Sequence, residues 1–369
     1  MRVPHKVMDR ITPPRRVYKR RIPLPWMGAG LALLLAAILT PLTATDVAPA
    51  AGGLQPIIDG ARKEGGLNLY ASPTIGPDGV RAIKDTLNSR YGVNLDVKFS
   101  PAGSMIRDVA KVVTELATGS PPTWDLMLVT DAHYAVLFKN DALEQVDWVG
   151  TLGVEPRSLF YEARAVALVT QFVAPAYNKQ LIPSAEAPKG WEALLDSRWK
   201  GKIGVASSTH HWARLSQAWG EDRTTRFVEA LAKQNVVRGQ VAETYTRLQL
   251  GEILLAATMV DDFILEAKKR GAPVVFIENP DPVIATHFMG APLRRARSRN
   301  AATLLTAFLV SPEGQALWAK FTGQTSMYIK GTPAHEFVQK RNVVALEARF
   351  AETQLENLTN KYGRLLGFR

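Results

Sequence analysis

Strand-like and helix-like hydrophobic spacings alternate along this chain, and that alternation limits its fold more than any other feature. Leu67–Ala71 reads as a strand, and Ile83, Leu87 and Tyr91 make the apolar stripe of a helix after it. Asn94–Phe99 alternates polar and apolar side chains, the period of a half-buried strand. Ile106, Val109, Val113 and Leu116 recur at three- and four-residue spacing, an amphipathic helix that Gly119-Ser-Pro-Pro122 ends. Asp125–Val129 is a further strand. This β-α-β-α-β order predicts a parallel sheet wound with helices, the α/β class.

The pattern resumes with strands at Lys202–Ala206, Ile253–Ala257 and Pro273–Ile277, and with helices at 223–234 and Phe263–Arg270. Helices are expected at 299–310 and 312–321. Ser311 is placed to cap the second of these and Pro312 to take its first position. A helical tail is expected over much of 335–369. A length of 369 residues suits two lobes better than one core. The expected division sets 51–135 with 281–320 in one lobe and 136–280 with 321–369 in the other. Small molecules bind in the cleft that such a division leaves.

The net charge of +11 raises a nucleic-acid reading, which its distribution removes. Residues 1–26 hold eight basic groups and one acidic group, leaving +4 for residues 27–369. The basic block runs into Met27–Leu39, an apolar stretch of 13 residues, shorter than the ~20 that span a bilayer as a helix. Ala48-Pro49-Ala50 follows as a small-residue cleavage site. Residues 1–50 therefore read as an export signal, with an uncleaved N-terminal anchor as the alternative. The chain has no cysteine, which excludes disulfides, thiolate metal sites and a lipid-modified cysteine anchor.

No strong catalytic signature is present. Ser197-Arg-Trp-Lys200 matches S-x-x-K, but its companion motifs are missing, and a surface loop is the expected reading. The turns after the strands are more informative. Ser72 and Thr74 follow the first strand, Gly103 and Ser104 the second, and Thr130 and Asp131 the third. Ser207, Ser208 and Thr209 follow a strand of the other lobe, ahead of His210. Small hydroxyl residues at helix N-termini leave N–H groups free for an anion, although ordinary capping uses the same residues. Asp261 ends a strand, where it suits a cationic ligand group, while Asp262 caps the next helix. Asp261, Asp262 and His210 are the candidate ligands if the solute is a metal. His133 and His287 also lie near these turns. Arg294, Arg295, Arg297 and Arg299 lack interleaved aromatics and read as a solvated helix face.

Three blocks carry a family resemblance. Ala176-Tyr-Asn-Lys179, with Pro188-Lys-Gly-Trp191 through Leu194-Leu-Asp196 to Trp199-Lys-Gly-Lys-Ile203, resembles the "YN … P-x-x-W-x-x-L-L-D-x-x-W-K-G-K-I" block of bacterial extracellular solute-binding proteins. These serve ABC importers, in the group that includes the ferric-iron-binding proteins. Leu250-Gly-Glu252 with Gly271-Ala-Pro-Val274, and Asn300-Ala-Ala302 with Ser311-Pro-Glu-Gly-Gln315, resemble two further blocks of that group. The likeness runs from about residue 60 to 335. It implies a two-lobed periplasmic-binding-protein fold, type II-like, with two interlobe crossovers and a ligand cleft between the lobes. Iron-binding members place two adjacent tyrosines late in the second lobe. The comparable stretch here is Met259-Val-Asp-Asp-Phe263, without them.

The resulting expectation is a non-enzymatic, monomeric, periplasmic protein that needs no cofactor. It captures a small anionic or zwitterionic solute and hands it to an inner-membrane ABC permease with its ATPase. The alternatives are a metal-binding protein of the same fold, a serine hydrolase using Ser197 and Lys200, and a receptor module serving a membrane sensor.

Overall fold

The computed structural model describes residues 51–368, so the export segment at 1–50 lies outside the described residues. Helix α1 (Ala51–Glu64) leads into β1 (Gly66–Ala71), α2 (Gly76–Tyr91), β2 (Asp96–Pro101), α3 (Met105–Ala117) and β3 (Leu126–Met127). The three strands form a parallel sheet in the order β2-β1-β3, with Leu69 beside Phe99 and Leu126. The predicted β-α-β-α-β unit is thus present. One detail of its second helix differs. The buried face of α3 runs through Val109, Val112 and Leu116, and Ile106 is 78% exposed. Each helical residue turns by about 100°, which carries Ile106 to the rim of that face.

β4 (Val129–Thr130), α4 (Asp131–Lys139) and β5 (Leu159–Phe160) complete the first part. The chain then crosses on β6 (Ala165–Asn178), a strand buried along its whole length except at Gln171. A strand covered on both faces reads as a continuous apolar run, and Val166–Val169 and Phe172–Ala176 are such runs. Fully burying one Val or Leu side chain contributes about 1.5–3 kcal/mol, so β6 is held strongly.

The second part contains β7 (Ile203–Ala206), α5 (His210–Trp219), α6 (Glu221–Ala232), β8 (Val237–Gly239) and α7 (Val241–Leu250). It continues with β9 (Leu255–Val260), α8 (Asp261–Arg270) and β10 (Val274–Phe276). β11 (Val283–Gly290) crosses back antiparallel to β6, from Ile284 beside Val173 to Gly290 beside Val166. α9 (Arg299–Leu309) and α10 (Pro312–Thr322) pack in the first core. α11 (Pro333–Val338), β12 (Val343–Ala345), α12 (Ala348–Thr353) and α13 (Leu355–Leu365) end the chain. The larger sheet runs β12-β11-β6-β9-β7-β8, with β10 and β5 on β6 and β4 on β11.

Two main cores result. The first gathers buried side chains from Ile58 to Val169 and from Met289 to Trp318. The second gathers Val173 to Ile284 and Leu346 to Leu366. The changeovers therefore fall within β6 and β11, and Leu137 to Val169 pack with the first core, beyond the sequence boundary at 135. The predicted cap of α10 is present, with the Ser311 hydroxyl accepting the Gly314 N–H at 3.1 Å. Gly314 has no room for a side chain, since a Cβ there would lie 2.1 Å from the Phe308 carbonyl oxygen.

Candidate functional site

The candidate turns stand at the C-terminal ends of strands, where α/β units present loops and helix N-termini. Ser72 and Thr74 turn toward each other, their hydroxyls 2.9 Å apart, and Ser72 also accepts the Thr74 N–H. Gly103 is exposed. Ser104 precedes α3 without a side-chain capping bond, and its N–H points to the Asp108 carboxylate at 3.4 Å. Asp108 in turn accepts the Tyr70 hydroxyl at 2.8 Å. That buried hydrogen bond anchors the turn after β2 to β1.

Thr130 and Asp131 behave differently from each other. The Thr130 hydroxyl lies 2.7 Å from His133 Nδ1. The Asp131 carboxylate is fully buried and accepts Arg214 Nη2 at 2.6 Å, Arg214 Nη1 at 2.9 Å and the His287 N–H at 3.2 Å. Its oxygens are therefore engaged within the protein. Although burial opposes ionisation, the Arg214 charge and hydrogen bonds hold the Asp131 carboxyl below the usual range.

In the second lobe, the Ser207 hydroxyl donates to Gln240 Oε1 at 2.8 Å. Ser208 is half-buried. The Thr209 hydroxyl donates to the Thr359 carbonyl at 3.1 Å, so it is committed to α13. His210 is one turn above Arg214, whose Nε lies 3.5 Å from His210 Nδ1. Burial, and after it neighbouring charges, hold His210 well below its ordinary pKa. Burial lowers His211 to about 3 and His287 to about 4. His287 contacts Thr170 through Nδ1 at 3.3 Å and the Tyr328 hydroxyl through Nε2 at 3.1 Å.

Asp261 and Asp262 open α8 side by side. Asp262 accepts from the amide of Gln324, and Gln171 of β6 lies beside it. Asp261 Oδ1 is buried and has no partner. Burial raises both carboxyls, and the charge of Asp262 raises Asp261 further. Such a pair retains a proton where an isolated aspartate has lost it. Among the described residues no three His, Asp or Glu side chains converge as a metal site, so Asp261, Asp262 and His210 are not brought together as one. Ser197 and Lys200 are both exposed on a surface turn.

The structure thus joins Thr130–Asp131 to His210 through Arg214, and bonds Ser72 to Thr74. Arg214, Gln171, Gln324 and Tyr328 escaped the sequence reading. Arg214 alone left a local sign, its position four residues after His210 on one helix.

A family model described as "Bacterial extracellular solute-binding protein" matches residues 82–342. The chain belongs to that family. No curated relative matches it. Solved structures with this fold include FutA (IdiA) of Trichodesmium in complex with iron and citrate. It has 17% identity and a TM-score of 0.66, and the match covers 83% of this chain and 100% of that one. Iron-bound HitA from Pseudomonas aeruginosa has 16% identity and a TM-score of 0.65, covering 81% and 99%. An open conformation of the Mannheimia haemolytica ferric iron-binding protein A has 15% identity and a TM-score of 0.64, covering 81% and 98%. At these identities the likeness fixes a two-lobed fold for this solute-binding protein and leaves its solute to the residues of the site. The family and these neighbours are binding proteins, and no helix among the described residues is long and apolar enough to cross a membrane.

Proposed function

We propose that this solute-binding protein captures a small zwitterionic solute between its lobes and delivers it to an ABC permease with its ATPase in the inner membrane. The observation that carries the choice of solute is the half-buried Asp261–Asp262 pair at a strand end, which no salt bridge among the described residues reaches. A cationic group replaces the retained proton and meets the unpartnered Asp261 oxygen. The anionic end is received at the turns Gly103–Ser104 and Ser207–Ser208, where the Ser104 hydroxyl makes no capping bond. The protein performs no chemistry. A solute that touches both lobes favours the closed form by its differential affinity.

Iron is the competing reading, because FutA and HitA were solved with it. The absence of the tyrosine pair at Met259–Phe263 supports an organic solute instead. Native mass spectrometry of protein purified without chelator tests both. A co-purified organic mass, lost in Asp261→Asn, supports the proposal. Stoichiometric iron in its place removes it.

A further inference from the structure

Asp131 and Arg214 meet across the two lobes. Asp131 opens α4, whose Tyr134 and Leu137 are buried in the first core. Arg214 lies in α5, whose Trp212, Ala213 and Leu215 are buried in the second. Their ion pair is bidentate, and its side chains are 0% and 1% exposed. The crossing strand β11 adds the His287 N–H to the same carboxylate, and the Tyr161 hydroxyl donates to the Asp131 carbonyl. The C-terminal segment roofs this junction. α12 packs on α4, and α13 packs on α5 and α6. Gln217 of α5 bonds the Ala345 carbonyl at 2.7 Å and the Glu347 N–H at 3.0 Å.

The pair is flanked by two candidate turns named from the sequence. Thr130 precedes Asp131, and His210 is one helical turn above Arg214. An Arg–carboxylate fork has a narrow geometry, so its formation sets α4 against α5 at one angle. Burying two ions costs hydration that their attraction offsets only when both are present and well placed. Rotation of the lobes that separates α4 from α5 returns both ions to water. The pair therefore responds to lobe angle more steeply than an apolar contact does.

We propose that Asp131–Arg214 is an interlobe clasp that forms as the lobes close and sets the balance of open and closed forms before any solute binds. This rests on the solute-binding reading only in taking closure as the capture step. The chain has no cysteine, so Lys98→Cys on the first lobe and Glu229→Cys on the second, both exposed, take a fluorophore pair uniquely. Energy transfer and small-angle scattering are then compared for the ligand-free protein, Asp131→Asn, Arg214→Met and the apolar double variant Asp131→Leu/Arg214→Met. The expected result is a shift toward a longer interlobe distance and a larger radius of gyration in all three variants. The double variant keeps the parent's melting temperature or exceeds it, which separates conformation from stability. A double variant that melts like the parent and matches its distance distribution overturns the clasp and makes the pair a packing element. Because no solute enters the measurement, its outcome is independent of whether the solute assignment holds.

Discussion

Asp261 and Asp262 lie side by side at the start of α8, where Asp262 accepts the neutral amide of Gln324 and no salt bridge among the described residues reaches either carboxyl. Two adjacent carboxyls without a cation resist ionisation, and a retained proton relieves their repulsion. The pair therefore links pH to stability.

That link has a definite sign. Both carboxyls titrate above their ordinary 3.8 in the folded protein. Their favourable contribution is full below that value and is lost as pH rises, because the unfolded chain ionises first. Asp261→Asn removes the effect. The variant's ligand-free melting temperature should exceed the parent's near pH 8 and match it near pH 4, with a gain of roughly 2–4 °C per kcal/mol relieved. Differential scanning fluorimetry across pH measures this, and equal melting temperatures at both pH values count against the buried pair.

Single substitutions in the clasp should act oppositely. Arg214→Met leaves Asp131 buried without its cation, which costs about 3–5 kcal/mol. Since Arg214 depresses the Asp131 pKa, the lost stability is largest above the ordinary carboxylate range and shrinks as acid protonates Asp131. Denaturant unfolding at neutral and acidic pH checks both the size and the trend.

The serine and threonine of the two capping turns should separate into different roles. The Ser104 hydroxyl makes no capping bond, so Ser104→Ala should weaken solute binding by about 0.5–1.5 kcal/mol and leave the melting temperature unchanged. Thr209 serves the Thr359 carbonyl, so Thr209→Ala should lower stability by a similar amount and leave affinity intact. Calorimetry with the co-purified solute and thermal melts distinguish the two.

Gly314 should tolerate nothing larger. Its Cβ would meet the Phe308 carbonyl oxygen at 2.1 Å, backbone that cannot yield cheaply. Gly314→Ala should cost about 1–3 kcal/mol through displacement of α10 from α9. A melting temperature equal to the parent's would contradict the close approach.

Much of the architecture was legible in the chain itself. The β-α alternation, the Ser311 cap and the family blocks are local patterns, repeated every two to four residues or written in short words, and the fold keeps them. The crossing strands β6 and β11 went unread because strands buried on both faces lack the alternation that marks a half-buried one. The site was legible in outline only. Its turns were found from hydroxyl residues after strands, yet the direction of each hydroxyl was not. Thr209 turned to a carbonyl 150 residues away, and Asp131 to a guanidinium 83 residues away.

The sequence by itself therefore determined the class, the two-lobed plan, the family and the candidate turns after the strands. Only the tertiary structure decided which of those groups are committed to partners within the protein. The reason is physical. Hydrophobic period and capping act between near neighbours, whereas a buried polar group must find its partner wherever the fold brings one within hydrogen-bond reach. Asp131 found Arg214. Asp261 Oδ1 has no such partner.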